Sequence, residues 1–200
     1  MKMLAWTLMM GLAMASQAGR PDGNPQAPVV QEGRQAAPGA AARAALGRMG
    51  FLAGYWEGEG WSLSRAGGRR RFWVKEDYRY RGNRDLMDME GRFGDILPDG
   101  TRSPENEFGL GFLYFDEAKD EYRMWHYSDS GECFDVAMHV DAAKREMWYL
   151  KEFAKGEVGK FHLVVGGDGV WTSSFAIRQA DQSWLQVMEF RMTRVSDRRP

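Results

Sequence analysis

From residue 54 to residue 195 the chain breaks into about ten short stretches of alternating apolar and polar residues, and this repetition narrows the possible folds more than any other feature. The stretches are 54–64, 70–81, 84–93, 107–115, 121–128, 132–140, 145–153, 159–165, 170–178 and 183–194. Between them lie turn signals such as Gly82-Asn83, Asp129-Ser130-Gly131 and Gly166-Gly167-Asp168-Gly169, with one longer connection from Asp95 to Asn106 around Pro98-Asp99-Gly100. Alternation with period two marks a half-buried strand. Connections this short pair successive strands antiparallel. A meander of about ten strands leaves two edges open unless it closes on itself. The sequence therefore predicts an all-β, antiparallel up-and-down barrel.

Each strand of a barrel has an inner and an outer face, and the apolar face belongs inside. The second strand sorts most cleanly. There Phe72, Val74, Glu76, Tyr78 and Tyr80 are assigned inward, with Trp73, Lys75, Asp77, Arg79 and Arg81 outward. The same rule sends Met87, Met89, Phe93, Phe108, Leu110, Phe112, Tyr114, Tyr122, Met124 and His126 inside. From the later strands it adds Phe134, Val136, Met138, Met147, Tyr149, Lys151, Phe161, Leu163, Trp171, Ser173, Phe175, Trp184, Gln186, Met188, Phe190 and Met192. His139, His162, Trp61 and Trp73 fall outside. The polar minority on the inner face is what points to chemistry: Glu76, Tyr78, His126, Tyr149, Lys151 and Gln186 are the candidate ligand-binding residues. Buried polar and charged groups need partners, so these six either satisfy one another or orient a bound molecule.

Ahead of the barrel, Met1 and Lys2 lead into an apolar run from Leu4 to Ala15, followed by Ser16-Gln17-Ala18. A charged start, an apolar middle and small residues before a cut form a secretory signal, here residues 1–18 with cleavage after Ala18. The mature chain is then secreted or periplasmic. The run is shorter than the ~20 residues of a membrane span, so no transmembrane segment is expected after cleavage. Residues 19–39, rich in Gly, Pro, Ala and Gln, read as a flexible linker. Residues 40–49 read as a helix with Ala42, Leu46 and Met49 on one face and Gly50 as its terminator, placed to plug one mouth of the barrel. The folded domain is 40–195, and 196–200 is a tail.

Composition excludes several function classes. With 27 basic and 28 acidic residues the formal net charge is −1, which gives no field to hold nucleic acid. The basic run Arg69-Arg70-Arg71 reads as the solvated entrance to a strand. The single cysteine, Cys133, rules out an internal disulfide and any multi-cysteine metal centre. No nucleophile elbow, phosphate loop or paired metal-ligand motif is present.

The opening Leu52-Ala53-Gly54-Tyr55-Trp56-Glu57-Gly58-Glu59-Gly60 resembles the Leu-x-Gly-x-Trp-x-Gly-x-Gly start of bacterial calycin-like, lipocalin-like domains, and the resemblance extends over about 51–195. In such barrels the opening Trp packs across the closed end beside a basic residue of the last strand, which implies those roles for Trp56 and Arg194. Gly58 and Gly60 are then points of sharp bending or close approach. Nitrobindin-like members bind haem through a histidine on a late strand. This chain departs from that pattern, because its last histidine, His162, is assigned outward and His126 lies on a different wall.

Three functions follow. The first is a non-enzymatic barrel that binds a small apolar or amphipathic molecule and needs no cofactor, haem held by His126 from its different wall being the alternative. The second is an enzyme with Glu76 or His126 as acid or base in the cavity. The third is a solid barrel whose outer Trp61 and Trp73 form a homodimer or partner patch.

Overall fold

The computed structural model describes residues 39–64, 67–153 and 156–197; the expected signal peptide and nearly all of the expected linker lie outside these. One helix, α1 (Ala40–Gly47), precedes ten strands: β1 (Gly54–Leu63), β2 (Arg69–Arg81), β3 (Leu86–Asp95), β4 (Glu107–Asp116), β5 (Glu121–Ser128), β6 (Cys133–Asp141), β7 (Glu146–Glu152), β8 (Val158–Val165), β9 (Val170–Arg178) and β10 (Trp184–Ser196). Each strand pairs antiparallel with the next, and β10 returns to pair with β1, closing the barrel. The expected all-β meander is therefore what forms. β3 starts two residues late because the turn before it runs through Arg84, in a left-handed conformation at φ 67°. β10 continues to Ser196, into the expected tail.

The closing seam explains the glycines of the opening motif. Gly54 has φ 132°, a region that side-chain-bearing residues rarely adopt. A Cβ on Gly58 would run into the Arg191 carbonyl and lie 2.7 Å from Met192 Cα; one on Gly60 would lie 2.8 Å from Phe190 Cα. β10 passes so close to β1 that neither position has room for a side chain. On the same seam Trp56 stands opposite Arg194, whose guanidinium carbon lies 4.9 Å from the indole centroid. Trp56 also donates from Nε1 to the Leu52 carbonyl at 2.8 Å and meets Trp171 edge-on at 5.1 Å. Two buried indoles of roughly 200 Å² each contribute on the order of 5 kcal/mol apiece by area.

α1 covers the end at which β1 starts. Leu46 of the helix, with Met49 and Leu52 after it, is fully buried in the core, and two inward tyrosines tie the helix down. Tyr80 donates to the Leu46 carbonyl at 2.9 Å and Tyr122 to the Ala45 carbonyl at 2.9 Å. The helix does not stop at Gly50 as expected. It ends at Gly47, and tight turns from Arg48 to Ala53 carry the chain into β1 without a left-handed glycine cap. The opposite end carries no helix among the described residues.

Facing follows the alternation rule on most strands and fails on two. On β4 the interior receives Glu107, Gly109, Gly111 and Leu113, while Phe108, Leu110, Phe112 and Tyr114 lie on the outer face. Size misleads here because the inner wall needs glycine. A Cβ on Gly109 would come 3.1 Å from His126 Nε2, and one on Gly111 would come 3.0 Å from Met89 Cε. On β10 a bulge between Gln186 and Met188 inserts Val187, so everything before it changes face. Gln186 therefore lies outside, exposed and hydrogen-bonded to Glu189 at 2.7 Å, and Trp184 is exposed as well.

The outer pair of tryptophans does not form the expected patch. Trp73 is only 6% exposed, because the connection between β3 and β4 folds over it and the Ser103 carbonyl accepts its Nε1 proton at 3.1 Å. Trp61 is half-buried, with the Arg69 guanidinium 4.0 Å from its ring centroid. A Cβ on Gly94 would lie 2.5 Å from Trp73 Cζ2. Gly94→Ala is thus expected to push the indole out from under the connection at a cost of about 1–2 kcal/mol. A red-shifted tryptophan emission together with a lowered urea midpoint would report it; an unchanged spectrum would mean that the connection does not clasp Trp73.

Candidate functional site

The interior void lies against the glycine wall. Gly91 on β3 pairs with Gly109 on β4, so this section of the wall is bare backbone. Beside it stand Glu76 and Tyr78 on the neighbouring β2, Glu76 being the strand partner of Gly91, and Met124 and His126 on the neighbouring β5; farther round the barrel are Met147 and Tyr149 from β7, Phe161 from β8, and Met188 and Phe190 from β10. The resulting cavity measures about 40 Å³. A second void of about 30 Å³ shares His126, Tyr149, Phe161 and Met188 with it and is walled otherwise by Phe134, Lys151 and Phe175. Five of the six candidate residues therefore surround one divided space: Glu76, Tyr78, His126, Tyr149 and Lys151. Gln186 is the sixth and is excluded by the β10 bulge.

The two ends of this space differ electrically. At the deep side Glu76 is buried, and its Oε2 accepts a hydrogen bond from the Tyr78 hydroxyl at 3.0 Å. Burial pushes the Glu76 carboxyl up to about 7, with the Tyr78 hydrogen bond pulling the other way. Near neutral pH the group is about half protonated. Burial also drives both phenols upward, and the nearby Glu76 charge adds to each, so Tyr78 and Tyr149 act as neutral donors.

Toward the uncapped end, Lys151 forms an ion pair with Glu132 in which both side chains are about nine-tenths buried. The ammonium sits 3.9 Å from the Phe134 centroid and 4.8 Å from that of Phe153, a cation–π arrangement. Burial draws Lys151 down to about 8, and the adjacent carboxylate works to keep it charged. His126 stacks on Phe134 at 4.8 Å and 22°. Burial, followed by the Lys151 charge, lowers its imidazole to about 4, which makes it neutral across the physiological range.

Two further groups were not among the sequence candidates, although Glu132 shares the inward parity of Phe134 on the expected strand 132–140. Glu132 lies in the turn just before β6, and the pairing of β6 with β7 brings it to Lys151. Glu107 faces inward on β4 and is almost fully buried; burial, then the Asp129 carboxylate, pushes it up to about 8. The sequence signal for this wall was the spacing of Gly109 and Gly111, which repeats with period two as an inner face does. His139 and His162 lie outside, His139 stacked on Trp148 and His162 bonded to Glu146 at 2.8 Å. Among the described residues no group of three His, Cys, Asp or Glu side chains is placed to hold a metal ion.

The haem that the resemblance implies does not fit these residues. His126 Nε2 rests over Gly109, its ring face is covered by Phe134, and the adjoining void of about 40 Å³ is far too small. Sites for ligands of drug size and above occupy roughly 300–1,000 Å³.

Fold and interior together define a closed, ten-stranded antiparallel barrel with a small polar-edged cavity. No protein-family model matches the sequence, and no curated protein matches it. Among solved structures, Rv2717c from M. tuberculosis superposes with a TM-score of 0.51 at 12% identity, over 75% of this chain and 96% of that one. The S-type phycobiliprotein lyase CPES from Guillardia theta gives 0.48 at 11% identity, over 76% and 96%. The likeness to Rv2717c concerns the barrel alone.

Proposed function

We propose that the protein is an exported, non-enzymatic barrel that binds a small, largely apolar molecule between Met89, Met124, Met147 and Met188, with Glu76, Tyr78, His126, Tyr149 and Lys151 making its polar contacts. The observation that carries this reading is the void against the bare wall at Gly91 and Gly109, with a buried carboxylic acid beside it on β2. Protein interiors are normally filled to crystal-like density, and this one keeps a void beside that wall. Methionine is the most adaptable core side chain, so a wall of four can yield to a guest larger than the resting void.

The reading is tested on mature protein carrying ¹³C-methyl methionine, by titrating small cyclic hydrocarbons and following the methyl signals. Saturable shifts at Met89, Met124, Met147 and Met188 are expected, together with a discrete co-purifying mass in native mass spectrometry. An interior that gives neither is solid, and the reading then fails.

A further inference from the structure

The donors at the deep side of the cavity specify what a bound molecule must present there, an inference that rests on the cavity-binding reading above. Tyr149 lines the void with its ring fixed against Phe161, at 5.2 Å and 22°, and its hydroxyl has no hydrogen-bond partner among the described residues. A buried hydroxyl left in that state forgoes a hydrogen bond that a guest can supply. Glu76 lines the same void and is close enough for its charge to act on Tyr149. Tyr78 already donates to Glu76 Oε2, which leaves the other oxygen to carry the acid proton. The void therefore offers two neutral donors, a phenol and a carboxylic acid, set among Met and aromatic side chains.

We propose that Glu76 and Tyr149 form a carbonyl site: the ligand is an uncharged ketone or aldehyde whose oxygen accepts from both, with its hydrocarbon packed against Met89, Met124 and Met188. Charged alternatives are disfavoured by the surroundings. A carboxylate would need a free cation, and Lys151 is already committed to Glu132. An ammonium ion would have to shed its water into a lining made largely of thioether and aromatic groups, within reach of the Lys151 charge that already acts on His126.

Cyclopentanone and methylenecyclopentane, nearly equal in shape and differing in the oxygen, separate the possibilities. With the full mature chain at pH 6 and methionine-methyl titration, and with each affinity corrected for that probe's water-to-cyclohexane partition, the ketone should bind at least about tenfold tighter than the alkene, the worth of a buried hydrogen bond. Its carbonyl stretch should move below the value in cyclohexane solution. Tyr149→Phe should weaken the ketone about tenfold more than the alkene, whose binding also verifies that the variant is folded. Raising the pH through about 7 removes the Glu76 proton and should weaken the ketone selectively; Glu76→Gln, which keeps a donor but cannot titrate, should flatten that profile. Equal partition-corrected affinity for the two probes, or a Tyr149→Phe effect shared by both, overturns the carbonyl site and leaves the cavity reading standing. If neither probe perturbs a methionine methyl, both fall.

Discussion

Gly58→Ala should fail to give a closed barrel. The added Cβ would overlap the Arg191 carbonyl and sit 2.7 Å from Met192 Cα, both backbone atoms of the strand that closes the fold. Main chain has no rotamer through which to escape, so β1 and β10 must separate along the Trp56 to Ser62 register. Separation loses ladder hydrogen bonds, uncovers Trp56 beneath Arg194, and exposes two strand edges to other chains. A loss of at least ~4 kcal/mol is expected, comparable with the whole stability of many domains. Urea unfolding and size-exclusion chromatography check it: the variant should be largely unfolded or aggregated under conditions where the parent is a folded species. Gly47→Ala is the control. Its Cβ meets nothing within 4 Å at the end of α1, and it should be neutral or slightly stabilising. If Gly58→Ala melts with the parent, β10 does not approach β1 as described.

How much of this was legible beforehand varied with the kind of information. Strand number, order and closure follow from period-two alternation and short turns, both local properties. The glycines of the opening motif were legible as points of close approach because a strand seldom tolerates two glycines without such a reason. The face of β4 was not. The rule that large apolar residues point inward chose Phe108, Leu110 and Phe112, whereas the barrel needed glycine opposite His126 and Met89. Those contacts come from other strands, and no window along β4 contains them. The β10 bulge is similar, since one residue inserted at Val187 leaves the pattern from 188 onward intact and silently turns Gln186 outward. The Lys151 and Glu132 pair joins the end of β7 to the turn that precedes its neighbour β6, and Trp73 is buried by a connection that could as well have lain elsewhere. Most of the polar lining was thus readable as a list, while the shape of the void was not. Shape depends on side chains that are missing from the wall, and alternation scores only those that are present.

Glu76 should make the barrel less stable as the pH rises, and Glu76→Gln should isolate the effect. The carboxyl titrates near 4.5 when exposed and near 7 in the folded chain, raised by burial. A raised folded-state value means that the stabilising contribution is complete below the unfolded pKa of about 4.5 and is lost as pH climbs through about 7. A shift of this size corresponds to ~3 kcal/mol. Glu107, raised to about 8, acts in the same direction over a wider window. His126 opposes them on the acid side. Its value is depressed to about 4, so its contribution is complete above 6.5 and disappears as pH falls toward 4. Between about 4.5 and 6.5 the Glu76 and His126 slopes therefore nearly cancel, and the parent curve alone would hide both. The difference between Glu76→Gln and the parent does not contain His126 or Glu107. A glutamine carbonyl still accepts from Tyr78, the position is still filled, and nothing there titrates. Urea unfolding from pH 4 to pH 8.5 should show the variant level with or below the parent at pH 4 and gaining on it by ~3 kcal/mol by pH 8. Parallel curves would mean that Glu76 is ionised and solvated in the folded chain, in which case it could not serve as a donor in the cavity.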